Sequence, residues 1–342
     1  MSESIRVGIF ATPLEACEAV NVQYEEQKIK GSYWTLLNIK NDSNGKGDAR
    51  AVVFENGNGG CVWNWKDSTH AIWFDDYKDN KPLTKAQKLE IEAERKRAVA
   101  RFEAEERLKH EKASYCALSV FRCSDPCDPK HPYLLTKHIT PVETLRTISY
   151  AKALEIWKAY YKEVFNQIPK GIFGSGGQPL NESSLLVVPM RGDVSHVQTI
   201  QLIDNQGHKA FLKGGKMKGA YWQSEKLPEF DSSYCGVIGI GEGVATVLSV
   251  AQVKGFPVVS AMNCGNLKAV ALEIRARFPH ADILILGDVG NGENDAFKAS
   301  QAVNGRLAVP KFTDALTARF KALTGKEKPT DFNDFYLATG EI

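Results

Sequence analysis

Between residues 233 and 310, short apolar runs rich in β-branched residues alternate with stretches whose apolar positions recur at helical spacing. The runs at 234–243, 256–263, 282–288 and 306–310 predict strands, and 244–253 and 267–278 predict helices, which together argue for a parallel sheet wound with helices. The two runs of strongest strand character lead into an acid, Glu242 and Asp288. Groups beyond the carboxyl ends of strands in an open parallel sheet face its ligand crevice, so both carboxylates are expected in one site.

Upstream, the pattern changes. Residues 33–39, 51–54, 60–65 and 71–74 read as short strands of a small antiparallel meander, separated by turn clusters at 41–47 and 56–60. Its aromatics, Tyr33, Trp34, Trp63, Trp65 and Trp73, have two readings. They stack single-stranded bases, at about 1–3 kcal/mol per base, or they fill the core of a small sheet. Alternation buries at least half of them whatever the function, which favours the core. Thr84 and Gln87 then form a capping box ahead of a helix running to about residue 112. Its apolar stripe (Leu89, Ala93, Val99, Phe102) is sparse and its charges alternate in sign, predicting a solvated helical spacer.

Beyond the spacer a helix is expected at 151–165 and strands at 185–190, 197–203 and 209–212, the last two joined by a turn at 204–207. The glycine-rich segment 171–177 lacks the Lys-Ser or Lys-Thr that would make it a P-loop, and it reads as a flexible connection. Glycines and lysines follow at 213–219. With Arg191 and Lys209, the side chains of Lys213, Lys216 and Lys218 form the strongest local basic patch, suited to positioning phosphates without reading bases. An ordinary solvated hairpin accounts for the same residues equally well. Four regions result: a β-rich domain at 1–80, a charged helical linker at 81–112, a mixed α+β basic subdomain at 113–230 and an α/β domain at 231–342.

Composition narrows the functional classes. The chain has 342 residues and a formal net charge of only +2, so nucleic-acid binding must come from local patches rather than a global field. Its seven scattered cysteines suit reduced thiols better than a disulfide framework. No apolar run reaches bilayer length and the N-terminus lacks signal-peptide order, so a soluble cytoplasmic protein without a membrane partner is expected. Cys116, Cys123, Cys127 and His131 lie close together, but their spacing follows none of the paired-ligand patterns of structural zinc, and zinc is not expected.

Several segments in order carry a family resemblance. Leu185-Leu-Val-Val-Pro-Met-Arg191, the strand ending at Ile203, Lys209-x-Phe-Leu-x-Gly-Gly, Gly241-Glu242-Gly-x-Ala-Thr246, Asn263-x-Gly-Asn-Leu267 and Thr330-Asp-Phe-Asn-Asp334 resemble the primase-like Toprim proteins of plasmids, phages and prophages. His131-Pro-Tyr-Leu134 and the tryptophan-bearing first region fit as well, so the resemblance covers most of the chain. It implies a C-terminal Toprim domain, a Rossmann-like parallel sheet, behind a basic mixed α+β subdomain. The implied activity is that of a DNA primase, a nucleotidyltransferase that joins ribonucleotides on single-stranded DNA with Mg2+ or Mn2+. By the same resemblance Glu242 is a metal ligand or general base and Asp288 the first acid of an Asp-x-Asp pair. Asp331 and Asp334, on a late loop, add carboxylates to the metal site.

One position departs from the family pattern: Gly290 stands where the second aspartate of the pair belongs. Glu293 or Asp295 is a candidate replacement, although Asp295 also reads as a helix N-cap. Two main functions stay open, a primase or a binding protein that keeps the fold and basic face without turnover, acting as a single-stranded-DNA or replication accessory module. A Toprim nuclease using the same acids is a third. The chain contains no Walker pattern, so a primase of this kind works with a separate helicase.

Overall fold

The computed structural model describes residues 4–42, 47–75, 77, 83–166, 180–192, 196–290 and 292–342. The glycine-rich segment 171–177 lies outside the described residues. The chain forms two compact units, Met1–Leu108 and Lys109–Ile342.

In the first unit, β1 (Ile5–Phe10) and α1 (Pro13–Ala19) precede β2 (Thr35–Leu37), β3 (Ala49–Val53), β4 (Gly59–Asn64) and β5 (Thr69–Phe74). The last four strands form the expected antiparallel meander. The sequence pattern did not single out β1, which pairs parallel with β5 at the sheet edge. Alternation along the strands gives the sheet two apolar faces. Leu37, Ala51, Val62 and Trp73 pack with Ala16 and Cys17 of α1, whereas Cys61, Trp63, Ile72 and Phe74 pack with Ile91 of α2 (Lys85–Arg122).

α2 begins at the predicted capping box, where Thr84 Oγ1 accepts from Gln87 N at 3.2 Å and Gln87 Oε1 accepts from Thr84 N at 3.0 Å. Its early turns are not the solvated spacer that their composition suggests. Ile91 is 2% exposed, and Trp34 Nε1 donates to the Ala98 carbonyl at 3.0 Å. A few well-placed apolar side chains anchor a helix whose overall pattern is weak. The meander's aromatics divide: Trp63 and Trp73 are buried, while Tyr33 and Trp65 are exposed.

The second unit is built from two sheets. β6 (Asp125–Pro126), α3 (Pro132–Thr136), β7 (Arg146–Ser149), α4 (Tyr150–Phe165), β8 (Ser184–Met190), β9 (Thr199–Ile203) and β10 (Lys209–Phe211) give an antiparallel sheet in the order β10-β9-β8-β7-β6. The short β11 (Trp222–Gln223) leads into β12 (Val237–Gly241), α5 (Val244–Lys254), β13 (Val258–Ser260), α6 (Leu267–Arg277), β14 (Asp282–Leu286), α7 (Glu293–Ala302) and β15 (Arg306–Ala308). These strands order as β11-β13-β12-β14-β15, parallel except for β11. α8 (Asp314–Thr324) and α9 (Phe332–Thr339) close the chain.

The period-2 alternation of β8 sets how the two sheets meet. Leu185 and Val187 pack with Trp157 of α4 and with Ala113, Cys116 and Ala117 at the end of α2. Leu186, Val188 and Met190 face the other way, onto Val244, Val247 and Leu248 of α5. α5 therefore lies against both sheets, and the β9–β10 hairpin comes to the C-terminal edge of the parallel sheet. The opposite face of that sheet packs on α6 and α7 through Ile238, Ile240, Ile283, Ile285, Val270, Ile274, Ala296 and Ala299. Among the described residues no helix is long and apolar enough to cross a membrane.

Cys116 is buried in the apolar core against α4, and burial pushes its thiol up to about 12, whereas Cys123 is exposed. His131 Nε2 pairs with the Ser184 carbonyl at 2.9 Å.

Candidate functional site

β12 and β14 are parallel neighbours with Gly241 opposite Leu286. The chain leaves both strands at the same edge, so Glu242 and Asp288 emerge side by side. A Cβ on Gly241 would meet Val247 Cγ1 at 2.7 Å and Leu286 Cβ at 3.2 Å, so glycine is what lets α5 start this close to the strand end. Gly243 caps α5 without a side-chain hydrogen bond, leaving the first-turn N–H groups of the helix facing the same edge. Ser260 Oγ donates to the Glu242 carbonyl at 2.7 Å and holds the turn.

A cavity of about 400 Å³ opens here. Glu242, Asp288 and Asp331 contribute its carboxylates, and Lys137, Lys209 and Lys326 its cations. The backbone turn at Asn205, Gln206 and Gly207 and the side chain of Tyr133 complete the wall. That turn is pre-formed by Asp204, which is fully buried. Its Oδ1 accepts from Gln206 N and His208 N, and its Oδ2 from Asn181 N and His208 Nδ1, all at 2.8–2.9 Å. Burial opposes ionisation of Asp204, but these hydrogen bonds together hold its carboxyl below the usual range.

The cavity acids are under the opposite stress. Burial, followed by the charges of Asp331, Glu242 and Asp334, pushes Asp288 up to about 7. Its Oδ1 is buried with no hydrogen-bond partner. Glu242 is also raised, first by burial and then by Asp331 and Asp295, with Lys209 pulling the other way. Lys209 is held below the usual lysine value because desolvation outweighs the attraction of Asp331, Glu242 and Asp288. By area the Lys209 residue is nonetheless exposed, and among the described residues its ammonium makes no ion pair with these acids.

The Asp331–Asp334 motif is not on a loop as expected but starts a helix. Asp331 Oδ1 accepts from Asp334 N at 2.9 Å, and Asp334 Oδ2 accepts from Thr330 N at 2.9 Å, a reciprocal cap for α9. Between them Asn333 is fully buried, donating to the Lys137 carbonyl at 2.7 Å and to Ser249 Oγ at 2.8 Å, which pins α9 to α5 and to the end of α3. Asp331 lines the cavity, whereas Asp334 is not among its lining residues and reaches the site through its field on Asp288.

The Gly290 position has a backbone reason for its residue. Its φ is +97°, which L side chains rarely adopt, although a Cβ there would have open space. The Val289 amide donates to the Thr330 carbonyl at 2.8 Å, fastening this turn to the α9 cap. Asp295 is not an N-cap: α7 starts at Glu293 with Gly292 as its cap, and Asp295 sits in the first turn. There its charge helps to raise the Cys264 thiol and adds to the field on Glu242. Glu293 is exposed.

The basic patch read from the sequence is divided by the fold. Only Lys209 lines the acid cavity. Arg191 lines a separate groove of about 930 Å³ with Arg146, Trp222 and Lys226. Lys213 lies with its ammonium 5.0 Å from the Phe165 ring centre, and Lys216 and Lys218 line neither space. Lys137 and Lys326 had no sequence signal, because they come from α3 and from the segment before α9 and share nothing in the linear order. Among the described residues, no three His, Cys, Asp or Glu side chains converge closely enough to ligate one ion without rearrangement.

Residues 237–341 match the Toprim domain model. A DNA primase TraC of Escherichia coli is 33% identical over 135 residues, covering 36% of this chain and 12% of the relative. A second DNA primase TraC of Escherichia coli is 35% identical over 127 residues, covering 34% of this chain and 9% of the relative. The matches thus span about a tenth of the length of these relatives. The crystal structure of the primase fragment of the bacteriophage T7 primase-helicase protein aligns over 46% of this chain and 59% of that one, with a TM-score of 0.34 and 17% identity. Residues 237–341 thus form a Toprim domain, and over about a third of its length this chain is similar to DNA primases of Escherichia coli.

Proposed function

We propose that this protein is a DNA primase, a nucleotidyltransferase that joins ribonucleotides on a single-stranded DNA template. The observation that carries the reading is Asp288: a carboxylate pushed up to about 7 in a cavity shared with Glu242 and Asp331, with one oxygen buried and unpartnered. Such an atom is satisfied by a cation. The donor set is all carboxylate oxygen, which suits Mg2+ or Mn2+, and Mg2+ takes one or two carboxylates and fills its shell with water and substrate phosphate. Glu242, Asp288 and Asp331 would hold the ion, with Asp334 supporting Asp288 from behind. A divalent ion there supplies charge to activate the attacking hydroxyl and to stabilise the leaving phosphate.

The chain's own groups supply the rest. Glu242, raised by burial and by neighbouring acids, is a better proton acceptor than an ordinary carboxylate. Lys209 lines the same cavity as the three carboxylates and supplies a cation there for a phosphate oxygen. Arg191, with Arg146 and Lys226, lines a groove suited to the template backbone, and Lys213, Lys216 and Lys218 extend the basic surface. Template-directed incorporation of labelled ribonucleotides tests this. Wild type incorporates, and Glu242→Ala and Asp288→Ala each lose about 10²-fold or more; activity that survives both substitutions rejects the metal-site assignment.

A second reading has its own observation. The left-handed backbone at Gly290 leaves the family's second acid without a substitute at that position. A replication accessory that binds single-stranded DNA without turnover fits this, and binding without incorporation by the wild type selects it.

A further inference from the structure

The geometry points to Asn266 as a positioning residue, which holds the surface bearing Arg191 and the lysine loop in register with the sheet edge bearing Glu242. The inference rests on the reading above that this basic surface meets single-stranded DNA. β10 ends at Phe211 and β11 begins at Trp222, so the chain between them carries Lys213, Lys216 and Lys218 from the antiparallel sheet to the parallel one. The start of this loop is held from the antiparallel side: the Tyr160 hydroxyl donates to the Lys213 carbonyl at 2.7 Å, and His110 Nδ1 pairs with the Gly214 carbonyl at 2.8 Å. Its end is fixed at Tyr221, which exchanges two backbone hydrogen bonds with Arg191 at 2.6 and 2.7 Å. Immediately before that bridge, at Gly219 and Ala220, the loop is tied to the parallel sheet by Asn266.

Asn266 is 5% exposed and ends the single helical turn Cys264–Asn266 that leads into α6. Its Oδ1 accepts from Gly219 N at 2.8 Å, and its Nδ2 donates to the carbonyls of Ala220 at 2.8 Å and Ala261 at 3.0 Å. Ala261 N in turn donates to the Gly241 carbonyl at 2.8 Å, and Gly241 directly precedes Glu242. A bonded path thus runs from Arg191 through Tyr221, Ala220, Asn266 and Ala261 to the residue before Glu242. An amide is what this place requires, because it presents an acceptor and two donors within one planar group. Aspartate would set an oxygen against two carbonyls. Alanine would leave backbone groups of the fully buried Ala220 and Ala261 without that partner. Asn266 lines neither the acid cavity nor the Arg191 groove, so it acts on a ligand only through the backbone it holds.

Binding of oligodeoxythymidylate, titrated with salt, tests this apart from any polymerising activity. Asn266→Ala frees the end of the loop, so the basic surface is no longer preorganised and affinity is expected to fall about tenfold. Each phosphate contact given up should also flatten the slope of log affinity against log salt by about 0.7. The acids are held by β12 and β14, so the rise in melting temperature on adding Mg2+ should match that of wild type. Asn266→Ser, whose hydroxyl is too short to span the three partners, is expected to show the same flattened slope and carries the test if the alanine variant does not fold. A role confined to stability would lower the melting temperature and leave the slope of the folded protein unchanged, and that result overturns the inference. So does a variant that loses the Mg2+ response together with the DNA. Wild type that binds no oligonucleotide overturns the DNA-surface reading and this inference with it. Wild type that binds with an Asn266-dependent slope yet incorporates no ribonucleotide overturns the primase reading and leaves this one standing.

Discussion

Two pairs of carboxylates in the second unit show what separates a ligand site from a structural device. Asp331 and Asp334 trade hydrogen bonds with the backbone at the start of α9, so their oxygens are used by the fold. Glu242 and Asp288, at the ends of adjacent parallel strands, receive no comparable set of backbone donors among the described residues, and burial plus the charge of neighbouring acids raises both above their usual values. Asp334 is raised as well, by burial and by Asp331, but the Thr330 amide opposes the shift. The strand-end pair is held in a costly state that a cation would relieve, whereas the cap pair is already satisfied. Asp331 belongs to both groups, since it caps α9 and also lines the cavity.

The contrast is tested most strongly at Asp288. Its pKa is higher folded than unfolded, so between about pH 4 and pH 7 the folded state keeps a proton that the unfolded state gives up. Stability should therefore fall as pH rises through that window and level off above it. Asp288→Asn removes the penalty and is expected to stabilise the metal-free protein at pH 8, by about 1–4 kcal/mol in chemical denaturation, with little change at pH 4. Added Mg2+ should stabilise wild type more at pH 8 than at pH 5, where protonated Asp288 competes with it. Equal stability of wild type and variant across this range would mean that Asp288 is not strained.

The cap pair should respond in the reverse sense. Asp334→Ala removes the acceptor for Thr330 N and is expected to cost about 1–2 kcal/mol of stability, with loss of activity limited to what a loosened α9 produces. Asp331→Asn keeps a capping oxygen while deleting a cavity charge, so it should leave the melting temperature nearly unchanged and still lower affinity for Mg2+. If the two variants behave alike, the division between capping and cavity roles fails.

The smallest effect is expected at Gly290. Restoring the family's acid with Gly290→Asp places an L residue at φ +97°, which should destabilise by about 1 kcal/mol without raising ribonucleotide incorporation. A gain in activity would show that the turn can rearrange to accept the side chain.

Much of this site was legible in the linear order because parallel sheets carry a strong local signal. Apolar runs at 237–241 and 282–286 give β12 and β14, and two strands that are parallel neighbours must end at the same edge, which brings Glu242 and Asp288 together. The Thr84–Gln87 box likewise announced α2, since a cap is made within four residues. The Asp-Phe-Asn-Asp run reads as a motif on a loop, whereas its acids cap a helix whose apolar face is too short to announce itself.

What the sequence determined by itself was local: the alternation of strands and helices, the helix starts, and the acids at strand ends. The partition of the lysines was decided only by tertiary structure. Arg191, Lys209 and Lys213 to Lys218 are close in sequence, yet Arg191 follows β8, Lys209 opens β10 and Lys213 to Lys218 lie beyond it, so the path of the chain between the two sheets carries them to different places. Lys137 and Lys326, far apart along the chain, are brought to one cavity because Asn333 ties α9 to both α5 and the end of α3. Charge leaves no periodic trace that says where a long side chain will end, so the composition of the cavity follows from packing rather than from pattern.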